Sequence, residues 1–308
     1  MENRSLLTLG PVLFNWSPES WRDFYFRMAD EAPLDLVFVG EVVCSKRAPF
    51  FEDALPDVVE RLTAAGKRVV LSSPILVTTE RERSAVRDLV EAGELEVEAN
   101  DLGAAAQLAG KPHAIGPFIN VYNEATLGWL ASRGANAVSL GAELPASSVE
   151  LLTAEAARLG VETEVQVFGR VPLAISARCY HARAHGLHKD GCQFVCGQDL
   201  DGMGVETLDD QPFLAVNGLQ TMSHTYLCLA AELAELQRLG VRRFRLSPHT
   251  VDMVRVAQGF RAVLDGARDG ADLAAELAGL IQDAPLANGF FHNQPGAAYI
   301  EQRDRMMA

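Results

Sequence analysis

The chain has 308 residues, 48% of them hydrophobic and 22% charged, with a formal net charge of −14. That is ordinary globular composition, ample for a large core in one or two domains. The acidity argues against a nonspecific hold on nucleic acid or on an anionic membrane surface, and no apolar run approaches the roughly 20 residues of a transmembrane segment.

The first twenty residues, "MENRSLLTLGPVLFNWSPES", contain no long apolar stretch and no small-residue cleavage site, so the expectation is a cytoplasmic protein with its cysteines as free thiols, metal ligands or packing residues. "LLTLG" (6–10) reads as a first strand. Trp21, Phe24, Tyr25 and Met28 then share one helical face, with Ser17 as cap and Pro18 at the first helical position. "LDLVFVG" (34–40) is a second strand. Leu55, Val58, Val59 and Leu62 repeat the helical spacing up to Gly66. "RVVLSS" (68–73) follows, then a capping-box pattern of Thr79 with Glu82. "LEVEA" (95–99), "AIGPFINV" (114–121), "AVSLG" (137–141), "VETEVQVFG" (161–169) and "VRRFRLS" (241–247) complete eight strand-like runs. Most are continuously apolar, as in strands buried on both faces. "ASSVELLTAEAARLG" and "TVDMVRVAQGFRAVLDG" read as amphipathic helices, and so does "SHTYLCLAAELAELQRLG", with Tyr226, Leu229, Leu233 and Leu236 as its stripe.

Strand and helix alternating eight times predicts a (β/α)8 TIM-barrel-like fold in a single domain over 1–308. The short link after "GPFINV" and the weak helix pattern after "LEVEA" allow a distorted barrel. A cysteine-rich insert of about 170–240 lies between the seventh and eighth strands.

The insert reads "SARCYHARAHGLHKDGCQFVCGQ", with Cys179, Cys192 and Cys196 separated by twelve and then three residues. Cys44 follows the second strand and Cys179 the seventh, so both belong to the rim where a barrel places its chemistry. Four thiolates are the usual ligand set of a [4Fe–4S] cluster. Lys46, Arg47, Arg170, Arg178 and Arg183 could balance its charge. Zinc held by cysteines with His181, His185 or His188 is the competing chemistry, and four unrelated packing cysteines the third option. Cys228 reads as a packing residue, or else as a replacement for Cys44.

Lys46, Arg170 and Arg178 are candidates to bind a carboxylate substrate. Glu41 and Glu164 are candidate acids or bases, and Asn120, Asn123 and Asn217 suit either a polar substrate or turns. "GQDLDGMG" (197–204) lacks the twelfth-position Glu of a calcium loop and reads as an acidic turn. No G-x-G-x-x-G, Walker, G-x-S-x-G or H-E-x-x-H pattern occurs.

"GEVVCSKR" (40–47), "FINVYN" (118–123) and "VFGRVPLAISARCYHAR" (167–183) with Cys192 and Cys196 resemble the collagenase-like U-type peptidase family through nearly the whole chain. The resemblance implies a [4Fe–4S] cluster on Cys44, Cys179, Cys192 and Cys196. It also implies a homologous UbiU-like partner in a heterodimer, and a UbiT-like lipid-binding protein. The function it implies is O2-independent (anaerobic) ubiquinone biosynthesis, in which the quinone-ring precursor is hydroxylated with prephenate as oxygen donor. A noncatalytic Fe–S partner subunit and a metal-dependent peptidase are the alternative roles.

Overall fold

A computed structural model describes residues 4–301. Seven parallel strands run in chain order around a barrel: β1 (Leu6–Leu9), β2 (Leu36–Val39), β3 (Arg68–Ser72), β4 (Glu96–Ala99), β5 (His113–Ile115), β6 (Ala135–Ser139) and β7 (Glu162–Ile175). Next in sequence, β8 (Met203–Glu206), β9 (Pro212–Asn217) and β10 (Gln220–Cys228) form an antiparallel sheet. The barrel closes through β11 (Arg243–Leu246), parallel to both β7 and β1. A short β12 (Leu286–Ala287) pairs with β10. The eight-stranded closed barrel matches the expected (β/α)8 fold.

Helices α1 (Pro18–Glu31), α2 (Leu55–Ala64), α3 (Glu80–Ala92), α4 (Leu102–Gln107), α5 (Glu124–Ala131) and α6 (Ala146–Leu159) follow the first six strands. α7 (Tyr180–Ala184) and α8 (Leu233–Arg238) belong to the insert, and α9 (Met253–Leu264) and α10 (Gly270–Leu280) follow β11. Ser17 caps α1, and the Thr79–Glu82 capping box is present in full. Among the described residues no helix is long and apolar enough to cross a membrane.

Strand alternation sorts the barrel into two interiors. In β1–β4 odd-numbered residues such as Leu7, Leu9, Val37, Val39, Val97 and Ala99 face the helices and join the main core. Even-numbered residues of these strands fill the lumen, where Leu36, Phe38 and Val70 form a small apolar cluster; in β11 the parity is reversed, with Phe244 and Leu246 in the main core and Arg245 in the lumen. Beside the lumen cluster lies a buried polar network. Arg245 donates to Glu98 and to Glu164, each at 2.7 Å, while Thr8 donates to Glu164 and Ser72 to Glu98.

Two local expectations are corrected. "AIGPFINV" is a strand only as far as Ile115; Pro117 has no N–H to give a ladder, and Pro117–Ile119 form a 3-10 turn. The short link then leads into α5, capped by Asn123. "SHTYLC" is not helical: it lies in β10, where Tyr226, Leu227 and Cys228 are all buried between β7 and β12. A strand buried on both faces imitates the apolar stripe of a helix over so short a run.

β7, with 14 residues, runs well past the stretch 161–169 that signals it. Its first half pairs with β6 and β11 in the barrel wall, and from Phe168 onward it pairs with β10. Gly169 sits at the change of partner with φ +108°, and a Cβ there would stand 2.6 Å from Ser247 and 2.9 Å from His249. One strand therefore carries the insert out over the C-terminal rim.

Candidate thiol pocket at the barrel rim

The loop after β2 turns back beneath Glu41, whose carboxylate accepts from the backbone N–H groups of Val43 and Cys44, both at 2.9 Å. Burial raises the Glu41 carboxyl, against Arg47 and these two donors. The turn presents Cys44, Lys46 and Arg47 to the insert. After β7 the chain reaches Cys179, the cap residue of α7, whose Sγ accepts from Ala182 N–H and donates to the Gly218 carbonyl at 3.2 Å. Cys192 and Cys196 follow on two 3-10 turns.

These segments meet in one small pocket. Cys44, Cys179, Cys192 and Cys196 all line it, together with Lys46, Arg47, Lys189 and the Gly218–Leu219 turn. Beneath it Leu13, Val42, Val43, Ala182 and Leu219 form an apolar base separate from the main core. The β9–β10 hairpin closes one wall, and Gly218 there has φ +65°; a Cβ would stand 2.3 Å from the Arg47 guanidinium.

Arg47 is 1% exposed. Its guanidinium donates to Asn217 Oδ1 at 2.7 Å and to the Leu13 carbonyl at 3.3 Å, while its Nε is buried without a partner. Burial works against its charge, but Glu41, Cys196 and Cys44 outweigh that, and its pKa lies above the ordinary arginine value. Asn217 returns the link by donating to the carbonyls of Cys196 and Asp199 at 2.9 and 2.8 Å. Burial raises the thiols of Cys44 and Cys179; Arg47 opposes it at the first, the Ala182 N–H at the second.

The spacing of the sulfurs bears on what such a pocket can hold. A single tetrahedral zinc with bonds of about 2.3 Å needs thiolates about 3.8 Å apart. Among the described residues, no three cysteine sulfurs lie mutually within 4.8 Å. Four thiols around one hollow and a buried guanidinium with an orphaned N–H suit a negatively charged, thiolate-bound group.

The other candidates are distributed as follows. Lys46 lines the pocket and donates to the Lys189 carbonyl at 2.8 Å and to Asp190. Arg178 is exposed on the outer surface. Arg170 is not a pocket residue: it is buried over the Tyr226 ring and bonded to Asp283 and to the carbonyls of Ser223 and His224. The two terminal nitrogens of its guanidinium are taken up by these partners. Glu164 lies in the lumen, paired with Arg245. Asn123 caps α5, Asn120 has φ 58° in a turn, and Asn217 braces the pocket. Cys228 is buried in the main core, its thiol pushed up to about 12 by burial. In "GQDLDGMG", Asp201 accepts from Thr250 and lies 3.3 Å from His249. The lumen network and Asn217's bracing role were not foreseen. The alternating charges of "RFR" in β11, with Glu98 and Glu164 on facing strands, are the signal for the first; "NG" between two strands is a hairpin signal for the second.

The sequence model of peptidase family U32 matches residues 18–301, and the chain belongs to that family. Among solved structures it is similar to an enolase from Agrobacterium radiobacter (14% identity, 54% of this chain and 45% of that one, TM-score 0.38). It is also similar to a tryptophan synthase complex from Pyrococcus furiosus (12%, 87% and 98%, 0.42). A third likeness is to the spore cortex-lytic enzyme SleL of Bacillus megaterium (10%, 87% and 75%, 0.41). The chain thus spans under half the length of the enolase it matches.

Proposed function

We propose that this member of peptidase family U32 is a UbiV-like protein: a [4Fe–4S] protein acting with a UbiU-like partner in anaerobic ubiquinone biosynthesis. The reading rests on one observation, that four thiols drawn from three separate segments line a single pocket braced by a buried arginine. Cys44, Cys179, Cys192 and Cys196 would hold the cluster. When bound, it supplies a thiolate-ligated redox centre or a Lewis-acidic iron at the rim of the barrel.

The residues around it have their own tasks. Arg47 offsets the negative charge of the thiolates in a setting where water cannot. Its unpartnered Nε and the Ala182 N–H are donors for sulfur. Lys46, part-exposed at the pocket edge, is the cation placed to receive a carboxylate such as those of prephenate. UbiU-like and UbiT-like proteins are the partners this reading assigns, the second as carrier of the lipid-tailed ring precursor.

The test is anaerobic purification of the full chain, with iron and sulfide counted per chain. About four of each are expected for such a cluster, lost in Cys44→Ala and kept in Cys228→Ala. Iron kept in Cys44→Ala but lost in Cys228→Ala would overturn the ligand set. Ring hydroxylation by the reconstituted pair, dependent on prephenate, is expected. A metal-dependent peptidase is the second reading, favoured by the family to which the chain belongs. Chelator-sensitive peptide hydrolysis by the chain alone would favour it.

A further inference from the structure

Beside the thiol pocket lies a second group of ligand atoms. His181 is in the first turn of α7 and His185 is its C-terminal cap, four residues on and therefore on the same face. Their rings are parallel, with centroids 5.4 Å apart. Asp199 reaches them from the turn after Cys196, with Oδ2 at 3.0 Å from His181 Nε2. One ligand atom from each of the three lies within 4.8 Å of the other two.

His181 is fully buried and its Nδ1 lies 3.1 Å from the Val216 carbonyl. A carbonyl only accepts, so Nδ1 carries the proton, and the backbone bond fixes ring orientation as it commonly does for metal-binding histidines. Nε2 then faces the group, buried and without a hydrogen-bond partner; the Asp199 carboxylate is near but off the direction of a ring N–H. A buried, unprotonated ring nitrogen beside a carboxylate and a second imidazole, and hydrogen-bonded to neither, is short of a cation. Asp199 is itself set by the bond from Asn217 to its carbonyl.

We propose that His181, His185 and Asp199 form a second metal site, taking one divalent first-row transition ion of the zinc class. Two imidazoles and a carboxylate suit such an ion and leave a coordination position open. The ion ties α7, which Cys179 caps, to the turn that follows Cys196. It thus clamps two of the thiol-bearing segments together from outside the pocket. This inference stands independently of what the thiols hold.

The experiment is a calorimetric titration of the full chain with Zn2+, on the wild type, His185→Ala and Asp199→Asn. Both positions reach solvent, and far-UV circular dichroism of each variant serves as the check on folding. The wild type is expected to show one equivalent that both variants weaken at least tenfold, with any equivalent taken by the thiols unchanged. Zinc should also raise the Tm of the wild type and not that of the variants. Isotherms of folded variants that superimpose on the wild type, including the case where none binds zinc, overturn the proposal.

Discussion

At the scale of single residues, charge buried at the rim is held by a few partners, and their removal should be felt. Replacing Arg47 by Met takes the guanidinium donors from the buried Asn217 Oδ1 and the Leu13 carbonyl and removes the charge that offsets Glu41. A buried acceptor left unsatisfied costs about 1–3 kcal/mol, so urea denaturation of Arg47→Met is expected to show a loss of that order. Glu82 offers a pH-dependent case. Burial would raise its carboxyl, but the Ser45 hydroxyl and the N–H groups of Thr78 and Thr79 outweigh it and hold the pKa at about 2. A depressed carboxyl stabilises the fold above its unfolded pKa, and the contribution is lost as pH falls through the folded value. The Tm gap between wild type and Glu82→Gln should therefore be full above about pH 5 and close as pH drops toward 2. Because Ser45 neighbours Cys44, the same bond pins the thiol-bearing loop to the head of α3.

At the scale of elements, Gly169 is where β7 changes partners. Gly169→Ala places a methyl against Ser247 and His249 on a backbone that L-residues avoid. Overpacking of about 1–3 kcal/mol adds to about 1–2 kcal/mol of backbone strain. A drop of roughly 2–5 kcal/mol in chemical denaturation is the expected result. The barrel strands were legible because each is a short apolar run bounded by turn residues and separated by capped helices; Ser17, Thr79 and Asn123 lie where such caps should. The insert was less so. Cys44, Cys179, Cys192 and Cys196 could be placed on one rim from the sequence, since chain order fixes which loops follow strand ends. Arg170 could not: its position near Cys179 in the chain says nothing of the β10 partner that turns it toward Tyr226 and Asp283. Long-range pairing also hid the strand character of "SHTYLC", whose apolar residues satisfy either period.

At the scale of the whole molecule, the thiol pocket rests on a small apolar base of its own, apart from the core that joins barrel to helices. On the reading proposed above, stripping iron with a chelator should loosen the rim and leave the barrel standing. Hydrogen exchange is expected to rise across 41–50 and 176–200 with little change in β1–β6, and far-UV circular dichroism should hold. Global unfolding of the stripped chain would show instead that the cluster is a keystone of the fold.

β7 serves as barrel wall and as outrigger for the insert, so the two cannot be adjusted separately. Deleting one codon between 162 and 167 would turn Glu164 and Gln166 toward the helices and bring Val165 and Val167 into the lumen. The same slip would haul Gly169 out of its niche beside His249 and shift every rung shared with β10. The hairpin loop 207–211 can change length without moving the barrel; the count of residues along this strand cannot.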